Sequence, residues 1–522
     1  MRKIFLLFVL IIIAATTQAQ SNIYYRIKIY TDDAGLKQLA QKGVGFDHGD
    51  YKRGEYFTSD FSARELELIK QSNLKYEVLI NDVSAYYTQR NKIASPGLDD
   101  ADVTCTYTTP ANFKYGSMGG YYTYKEMLQT LDSMSKKFPK LISVRKPAST
   151  TLKTANGNVL YYVRISNRPK VEQAKPKILY TALHHAREPE SLSQLVFFMW
   201  YVLEHYSTDA DIKALVDGSE LYFIPCVNPD GYLYNQSTNP NGGGLWRKNR
   251  RNNGNGNFGV DLNRNYGYKW GYDNVGSSPN TADETYRGPS AFSEPETQII
   301  NSFCQAHHFY MAINNHTYDN VLIYPYGYKA NTYTADSLLF KQYAQELTQC
   351  NHFKIGTSIQ TVGYTTNGSS DDWMYAEQSL KPKVFALTPE SGSQRDGFWP
   401  AQNRIIPIAQ KNMQMNIMAA QITAGLATVA ANNINTNIET KLAATPNPCN
   451  TQTVIHFSLK GISNNAKLIV NDWLGNTVTI ITLHSNENSI VLSTDNFKPG
   501  VYYYSIVADN YRSETAKLSV IK

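Results

Sequence analysis

Charged side chains and cysteines are both scarce in this sequence. Only 18% of its 522 residues are charged, and the formal net charge is +6. So small an excess for this length argues against a polyelectrolyte and against a nucleic-acid-binding protein. None of the five cysteines lies in a Cys-x-x-Cys pair, so no disulfide framework is indicated. One bridge is possible, but the spacing does not choose its partners.

Long apolar runs are missing beyond the N-terminus. The first residues combine a positive start at Arg2 and Lys3, an apolar core over 4–15 and small residues at 17–19. This pattern predicts a secretory signal peptide over 1–19. The alternative is a membrane anchor, but the apolar core is too short to span a bilayer comfortably. We therefore expect a soluble mature protein without a membrane span.

The length and the 42% hydrophobic content allow two to four packed domains. Residues 20–105 are predicted to form a small α/β unit. Alternation over 24–30 and the run 76–80 predict strands, and 33–42 predicts a helix. Ser62 and Glu65 have capping-box spacing before a second helix.

Strand-like and helix-like segments alternate through 106–428, which predicts an α/β domain. Its expected architecture is a mixed open sheet with helices on both faces. An amphipathic helix is predicted over 191–205, and the Asn- and Gly-rich stretch 235–259 is predicted to be a long surface loop. A polar linker is expected over 429–440. Short alternating segments over 441–522 predict an all-β sandwich tail.

A candidate metal site follows two of the apolar runs. His185 and Glu188 lie just after the run 177–183, and His316 lies just after the run 309–313. Ligands in open α/β sheets gather at the carboxyl ends of strands, so we expect these residues to meet. Two imidazoles and one carboxylate leave an open position for water on zinc. This is the ligand set of a zinc hydrolase.

The spacing His-x-x-Glu is weak on its own, because a second copy occurs at His484 and Glu487 among polar turn residues. The first copy is distinguished by the motifs that follow it. These are Leu245-Trp246-Arg247-Lys248, Gly259-Val260-Asp261-Leu262-Asn263-Arg264-Asn265, His316-Thr317-Tyr318, Tyr364 with Asp371-Asp372-Trp373, and Thr388-Pro389-Glu390.

In this order the motifs resemble those of the zinc carboxypeptidases of the pancreatic carboxypeptidase A and B family, over roughly 115–424. The resemblance implies one Zn²⁺ per catalytic domain, held by His185, Glu188 and His316. It implies that Glu390 is the general base and that Arg247 stabilises the oxyanion.

The same resemblance implies a substrate-binding set. Asn263 and Arg264 match the clamp for the C-terminal carboxylate, which suits the two-pronged guanidinium of arginine. Arg187 and Tyr318 match outer contacts, and Tyr364 matches a mobile tyrosine that closes over the substrate.

Two acids complete the expected site. Asp261 matches an acid that orients a ligand histidine from behind. Asp371 matches the acid at the base of the specificity pocket in carboxypeptidase B enzymes, which would favour C-terminal Lys or Arg. The alternative is that Asp371 points elsewhere and the pocket has no clear basic preference.

The flanking units have two interpretations each. The N-terminal unit resembles a propeptide that covers the active-site cleft, with an accessible processing segment over 90–97; otherwise it is a plain N-terminal domain. The tail resembles the C-terminal sorting domain of the type IX secretion system; otherwise it is a generic β-sandwich. The resemblance implies export through the periplasm to the outside or the cell surface, with the type IX machinery as a partner.

The sequence therefore predicts a secreted zinc metallocarboxypeptidase, made as a precursor, that acts on peptide or protein C-termini. A cell-wall peptide amidase of the same family is the near alternative, although Asn263, Arg264 and Tyr364 serve a free carboxylate. A non-catalytic surface protein that binds peptides is the distant alternative. It requires a missing ligand or base, and the sequence lacks neither.

Overall fold

The computed structural model describes residues 23–90, 104–254, 256–426, 442–458, 466–472, 477–484, 487–508, 511–513 and 515–522. The predicted signal peptide, the linker and most of the predicted processing segment lie outside the described residues. No helix of the described part of the chain combines the length and apolar character that a membrane span needs.

The N-terminal unit is a four-stranded antiparallel sheet with helices. Its elements are β1 (Tyr24–Ile29), α1 (Asp33–Gln41), β2 (Asp50–Lys52), β3 (Tyr56–Ser62), α2 (Ala63–Lys70), β4 (Tyr76–Ile80) and α3 (Val83–Arg90). The strand order is β2-β3-β1-β4. Ser62 and Glu65 form the predicted capping box at the start of α2, where each side chain accepts from the other residue's backbone N–H.

The central unit carries eight strands and most of the helices. Its strands are β5 (Lys146–Pro147), β6 (Tyr161–Ile165), β7 (Lys177–Thr181), β8 (Glu220–Ile224), β9 (Met311–Asn314), β10 (Val321–Ile323), β11 (Lys354–Gly356) and β12 (Phe385–Glu390). Its helices are α4 (Tyr124–Lys137), α5 (Pro189–His205), α6 (Ala210–Gly218), α7 (Pro229–Thr238), α8 (Pro295–His307), α9 (Ser337–Leu347), α10 (Ser358–Thr361), α11 (Ser370–Ala376) and α12 (Gln402–Ala424), with a 3₁₀ turn at Leu262–Arg264.

These strands form one mixed sheet in the order β11-β10-β12-β9-β7-β8-β6-β5. The inner strands β12, β9, β7 and β8 are parallel, and β10 and β6 run antiparallel to their inner neighbours. Alternate residues of β7 enter two separate cores: Ile178 and Tyr180 pack with α5 and α12, and Leu179 packs with α8 and α11. Because side chains alternate along a strand, this confirms helices on both faces.

Two local predictions are wrong. Helix α5 is not amphipathic, because every residue from Pro189 to Leu203 is buried. It packs against α12, α6 and the sheet core, which leaves little of it facing solvent. The stretch 235–259 is not mainly a surface loop: it begins inside α7, and residues 242–249 are buried. Those residues pass under the surface to bring Arg247 to the site described below.

A disulfide joins Cys105 to Cys350 of the central unit. The residues that follow Cys105 also pack on the central unit, since the Gln410 side chain donates to the carbonyl of Tyr107 at 2.7 Å. The segment that begins at residue 104 therefore packs on the central unit rather than on the N-terminal unit.

The tail is all-β, as predicted. Its strands are β13 (Ala443–Thr445), β14 (Gln452–His456), β15 (Lys467–Asp472), β16 (Thr477–Thr482), β17 (Ser489–Ser493), β18 (Gly500–Ala508), β19 (Tyr511–Arg512) and β20 (Ala516–Val520). They form two sheets, β13-β14-β17 and a five-stranded sheet around β15 and β18, that share one buried core.

Candidate active site

The three predicted metal ligands leave the sheet on adjacent parallel strands. His185 and Glu188 follow β7, and Pro189 begins α5 directly after Glu188, where its fixed φ and missing N–H suit the first helical position. His316 follows β9 and is bridged to Glu390 at the end of β12. The parallel direction of β7, β9 and β12 therefore brings the ligands and the predicted base to one edge of the sheet.

The ligand atoms converge. Glu188 Oε1 lies 2.7 Å from His185 Nδ1, and Glu188 Oε2 lies 2.8 Å from His316 Nδ1. The two Nδ1 atoms are 3.1 Å apart, and all three residues are buried. Two imidazole nitrogens and a carboxylate oxygen directed at one point form a donor set that fits Zn²⁺. Among the described residues this is the only such cluster.

Asp261 lies behind the metal site and contacts two of its members. Its Oδ1 is 3.3 Å from His185 Nε2, and its Oδ2 accepts from Arg247 Nε at 3.0 Å and Nη2 at 2.8 Å. Burial raises the pKa of Asp261, but the charges of Arg247 and Arg264 outweigh it and hold this pKa far below its ordinary value. The ionised carboxylate fixes both the orientation of the histidine ring and the position of the guanidinium.

Arg247 is held over the metal ligands by the backbone as well. The Asn228 side chain donates to the carbonyls of His184 at 3.2 Å and Arg247 at 3.3 Å. The Ala186 N–H donates to the same Arg247 carbonyl at 3.0 Å. The loop with the metal ligands and the loop with Arg247 are thereby tied together.

The substrate side of the site is a small cavity. Seven of the predicted residues line it: His185, Arg247, Asn263, Arg264, Tyr364, Asp371 and Glu390. Asn263 Oδ1 accepts from the Ser370 N–H at 2.9 Å, which joins the 3₁₀ turn to the start of α11. Arg264 Nε is buried and has no hydrogen-bond partner among the described residues, so it is available to a carboxylate.

The neighbouring acids at the start of α11 face different surroundings. Asp371 lines the cavity, and burial raises its pKa. Asp372 turns away and accepts the backbone N–H groups of Gly327 at 2.9 Å and Tyr328 at 3.2 Å. Asp371 therefore lies at the cavity, and Asp372 supports a loop.

Two predicted contacts lie beside this cavity rather than in it. The Arg187 guanidinium lies 4.0 Å from the ring centre of Phe398. The Tyr318 ring is 4.9 Å from the same Phe398 ring, and it is buried. Both residues form part of the wall that the N-terminal unit covers.

Two residues of the N-terminal unit, Asp47 and His48, enter the site, and sequence reasoning did not find them. Asp47 forms an ion pair with Arg247, and its carbonyl accepts a hydrogen bond from the Tyr364 hydroxyl. His48 Nε2 lies 3.2 Å from Glu390 Oε2. No pattern around residues 46–50 marks them, because their role comes only from where the loop between α1 and β2 docks.

Comparison with known proteins agrees with this geometry. The sequence profile of the zinc carboxypeptidase family matches residues 127–415, and that of the secretion system C-terminal sorting domain matches residues 444–522. A zinc carboxypeptidase of Saccharothrix mutabilis subsp. capreolus is 30% identical over 412 residues, covering 76% of this chain and 88% of its own. Zinc carboxypeptidase A 1 of Drosophila melanogaster is 29% identical over 356 residues, covering 66% of this chain and 77% of its own.

Solved structures share the fold. The carboxypeptidase A of Helicoverpa armigera matches with a TM-score of 0.61 at 23% identity, covering 77% of this chain and 98% of its own. Thrombin activatable fibrinolysis inhibitor matches with a TM-score of 0.60 at 20% identity, covering 78% of this chain and 100% of its own.

Proposed function

The chain belongs to the zinc carboxypeptidase family and ends in a secretion sorting domain, and from this premise we propose a secreted precursor that becomes an exopeptidase. As a metallocarboxypeptidase it uses one zinc ion. In our proposal His185, Glu188 and His316 hold that ion, and the processed enzyme removes single residues from peptide C-termini.

Glu390 is the proposed general base. A zinc ion held by the three ligands would lower the pKa of a bound water to about 7 and polarise the scissile carbonyl. Glu390 lies across the strand bridge from His316 and lines the same cavity as His185. In this position it takes a proton from the attacking water and passes it to the leaving amine.

Arg247 and the carboxylate clamp bind the charges of the substrate. Arg247 has a guanidinium held by Asp261 and faces the cavity, so it is placed to stabilise the oxyanion that develops. Arg264 and Asn263 bind the free C-terminal carboxylate, and Tyr364 closes over it. Arg187 and Tyr318 contact the substrate further out.

Asp371 sets the residue preference in this proposal. Its carboxylate lines the cavity next to Thr388, Ser369 and Thr366, which are small and polar. A buried acid in a polar pocket pairs best with a cationic side chain, since an uncompensated buried charge is costly. We therefore infer a preference for C-terminal Lys or Arg.

One observation carries the proposal: a single cavity unites a metal ligand, a carboxylate base, an oxyanion arginine and a second arginine. The buried Nε of that second arginine has no hydrogen-bond partner in the described part of the chain. A peptide C-terminus requires this set, because it presents both a scissile carbonyl and a terminal carboxylate. A cell-wall amidase that acts on an amide without that carboxylate has no use for the second arginine.

We further propose that the protein leaves the cell by the type IX route through the periplasm and is then processed. The N-terminal unit is the propeptide. Because the disulfide ties Cys105 to Cys350, a cut that frees this unit has to fall before Cys105, and in our proposal it falls between Arg90 and Cys105.

Replacement of Glu390 by Gln tests the base directly. The Glu390→Gln variant of the processed enzyme should lose turnover of a peptide ending in arginine by at least about 10³-fold while it keeps one zinc ion per chain. Measured zinc content separates loss of the base from loss of the metal. Activity close to that of the unmodified enzyme would show that another group is the base.

A further inference from the structure

Asp319 is an acid beside the catalytic groups, and the proposed mechanism gives it no role. It directly follows Tyr318, and its backbone N–H donates to the carbonyl of Gly392 at 2.9 Å. The next N–H along the chain, that of Asn320, donates to the Glu390 carbonyl at 2.7 Å. These two hydrogen bonds hold Asp319 against the end of β12, close to the proposed base.

Asp319 lines the outer part of the cleft. Asn263 and Asp371, which we propose to contact the terminal residue of the substrate, line the small cavity, and Asp319 does not. Asp319 instead lines a larger cavity of about 860 Å³ that lies between the central and N-terminal units and reaches Arg264 and Tyr364. A substrate whose terminal residue fills the small cavity therefore continues past Asp319 on the other side of the scissile bond.

The Asp319 carboxylate is half-buried and lacks a paired cation. In the part of the chain that the structure describes, no Lys, Arg or His forms an ion pair with it. Lys354 lines the same cavity, but its Nζ donates to the Thr361 carbonyl at 2.8 Å. An acid in such a place is available to a cation that enters the cleft.

The groups that face Asp319 agree with this reading. Burial raises the pKa of Asp319 to about 7. The positive charge of His48 and a hydrogen bond from Gln394 lower this pKa, the charge of Glu390 raises it, and Lys354 lowers it. His48 belongs to the N-terminal unit and leaves with it on processing. A cationic substrate side chain would then stabilise the charged form of the acid.

We propose that Asp319 selects Lys or Arg at the penultimate position of the substrate, so that the processed enzyme prefers chains that end in two basic residues. The inference rests on the proposed function, because Glu390 and Arg264 set the direction in which the substrate runs. Asp371 acts on the residue that is removed, and Asp319 acts on the residue that becomes the new C-terminus. Long basic side chains suit this role, since their flexible stems let the charged end reach an acid on the cleft wall.

The test compares three blocked tripeptides with the processed, zinc-loaded enzyme. All three end in arginine, and the residue before it is Lys, Ala or Glu. The value of kcat/KM should be about tenfold higher for the Lys peptide than for the Ala peptide, which is the effect of one charge-assisted hydrogen bond. It should be lowest for the Glu peptide, because two negative charges then meet in the cleft.

Two variants of Asp319 assign the preference to this side chain. Asp319→Asn should bring the ratio of kcat/KM for the Lys peptide over the Ala peptide close to one. Asn shares with Asp a tolerance of positive φ, and φ is +151° here. Asp319→Lys should reverse the order, so that the Glu peptide is cleaved faster than the Lys peptide. Asp211→Asn removes the same charge from an exposed position on α6 and is the matched control, which should keep the ratio of the unmodified enzyme.

The outcomes separate this inference from the proposed function. Equal kcat/KM on the Lys and Ala peptides overturns the inference without the need of any variant, and it leaves the proposed function intact. A ratio that stays unchanged in Asp319→Asn, or that falls as far in Asp211→Asn, overturns the assignment to Asp319. Failure to release arginine from any of the three peptides overturns the proposed function, and the inference with it.

Discussion

The same four-residue spacing occurs twice in this chain with opposite results. In both copies the glutamate N–H donates to the histidine carbonyl three residues earlier, at 3.3 Å for Glu188 and 2.9 Å for Glu487. His185 is buried and its ring faces Glu188, with His316 completing the cluster. His484 is exposed, and the Glu487 carboxylate accepts from its backbone N–H instead. This backbone hydrogen bond is shared, so the surroundings decide which copy can bind a metal.

The largest expected difference is between a variant that lacks His185 and a variant that lacks His484. His185→Ala should lose the bound zinc and at least about 10³-fold of kcat/KM on a peptide ending in arginine. His484→Ala should keep both, because its ring contributes to no described metal cluster. Zinc content and steady-state kinetics measure the pair. Equal zinc loss in the two variants would contradict the distinction between them.

Much of this site is predictable from sequence because its parts follow buried strands. The runs that end before His185, His316 and Glu390 are strongly apolar, and the parallel sheet aligns their ends. The burial of α5 on all sides is not predictable from the sequence. Glu190, Ser193 and Gln194 are polar, so they indicate a solvent-facing side that the helix does not have.

A second contrast separates the neighbouring acids of α11. Asp371→Asn should lower the ratio of kcat/KM for arginine-ended over phenylalanine-ended peptides by about 10²-fold, the worth of one well-placed charged pair. Asp372→Asn should leave that ratio unchanged and reduce thermal stability, because Asp372 contacts the backbone of Gly327 and Tyr328. If this ratio shifts in both variants or in neither, the hypothesis that Asp371 lies at the base of the specificity pocket is wrong.

The third and smallest contrast concerns two glutamates of α2. Burial, and then the nearby charge of Glu284, raise the pKa of Glu65 to about 7, whereas Glu67 is exposed and pairs with Lys70. In the folded precursor Glu65 therefore keeps a proton that the unfolded chain releases from its ordinary pKa of 4.5 upward. Stability from this group is highest below pH 4.5 and falls until the pH passes about 7.

Melting temperatures of the precursor across this range measure the effect. Glu65→Gln keeps the capping-box geometry and should reduce the decrease of melting temperature with rising pH by a few degrees. Glu67→Gln should leave the slope as it is. A slope that is equal in the unmodified precursor and in Glu65→Gln would contradict a raised pKa at this position.

The two residues of the N-terminal unit that enter the site show where sequence reasoning stops. Asp47 and His48 lie in a short loop without a repeat, a strand pattern or a metal-ligand spacing. Their partners Arg247 and Glu390 are 200 and 342 positions away (247 − 47 and 390 − 48). Only the docking of one folded unit on another brings them together, and no local pattern encodes that contact.

The most direct test of the central claim uses the processed, zinc-loaded enzyme on one peptide in two forms, with a C-terminal arginine as the free acid and as the amide. The account predicts release of arginine from the free acid alone, abolished by a zinc chelator and restored by added zinc. Equal cleavage of the amide form, or release that survives the chelator, would contradict a zinc site built around a free C-terminal carboxylate.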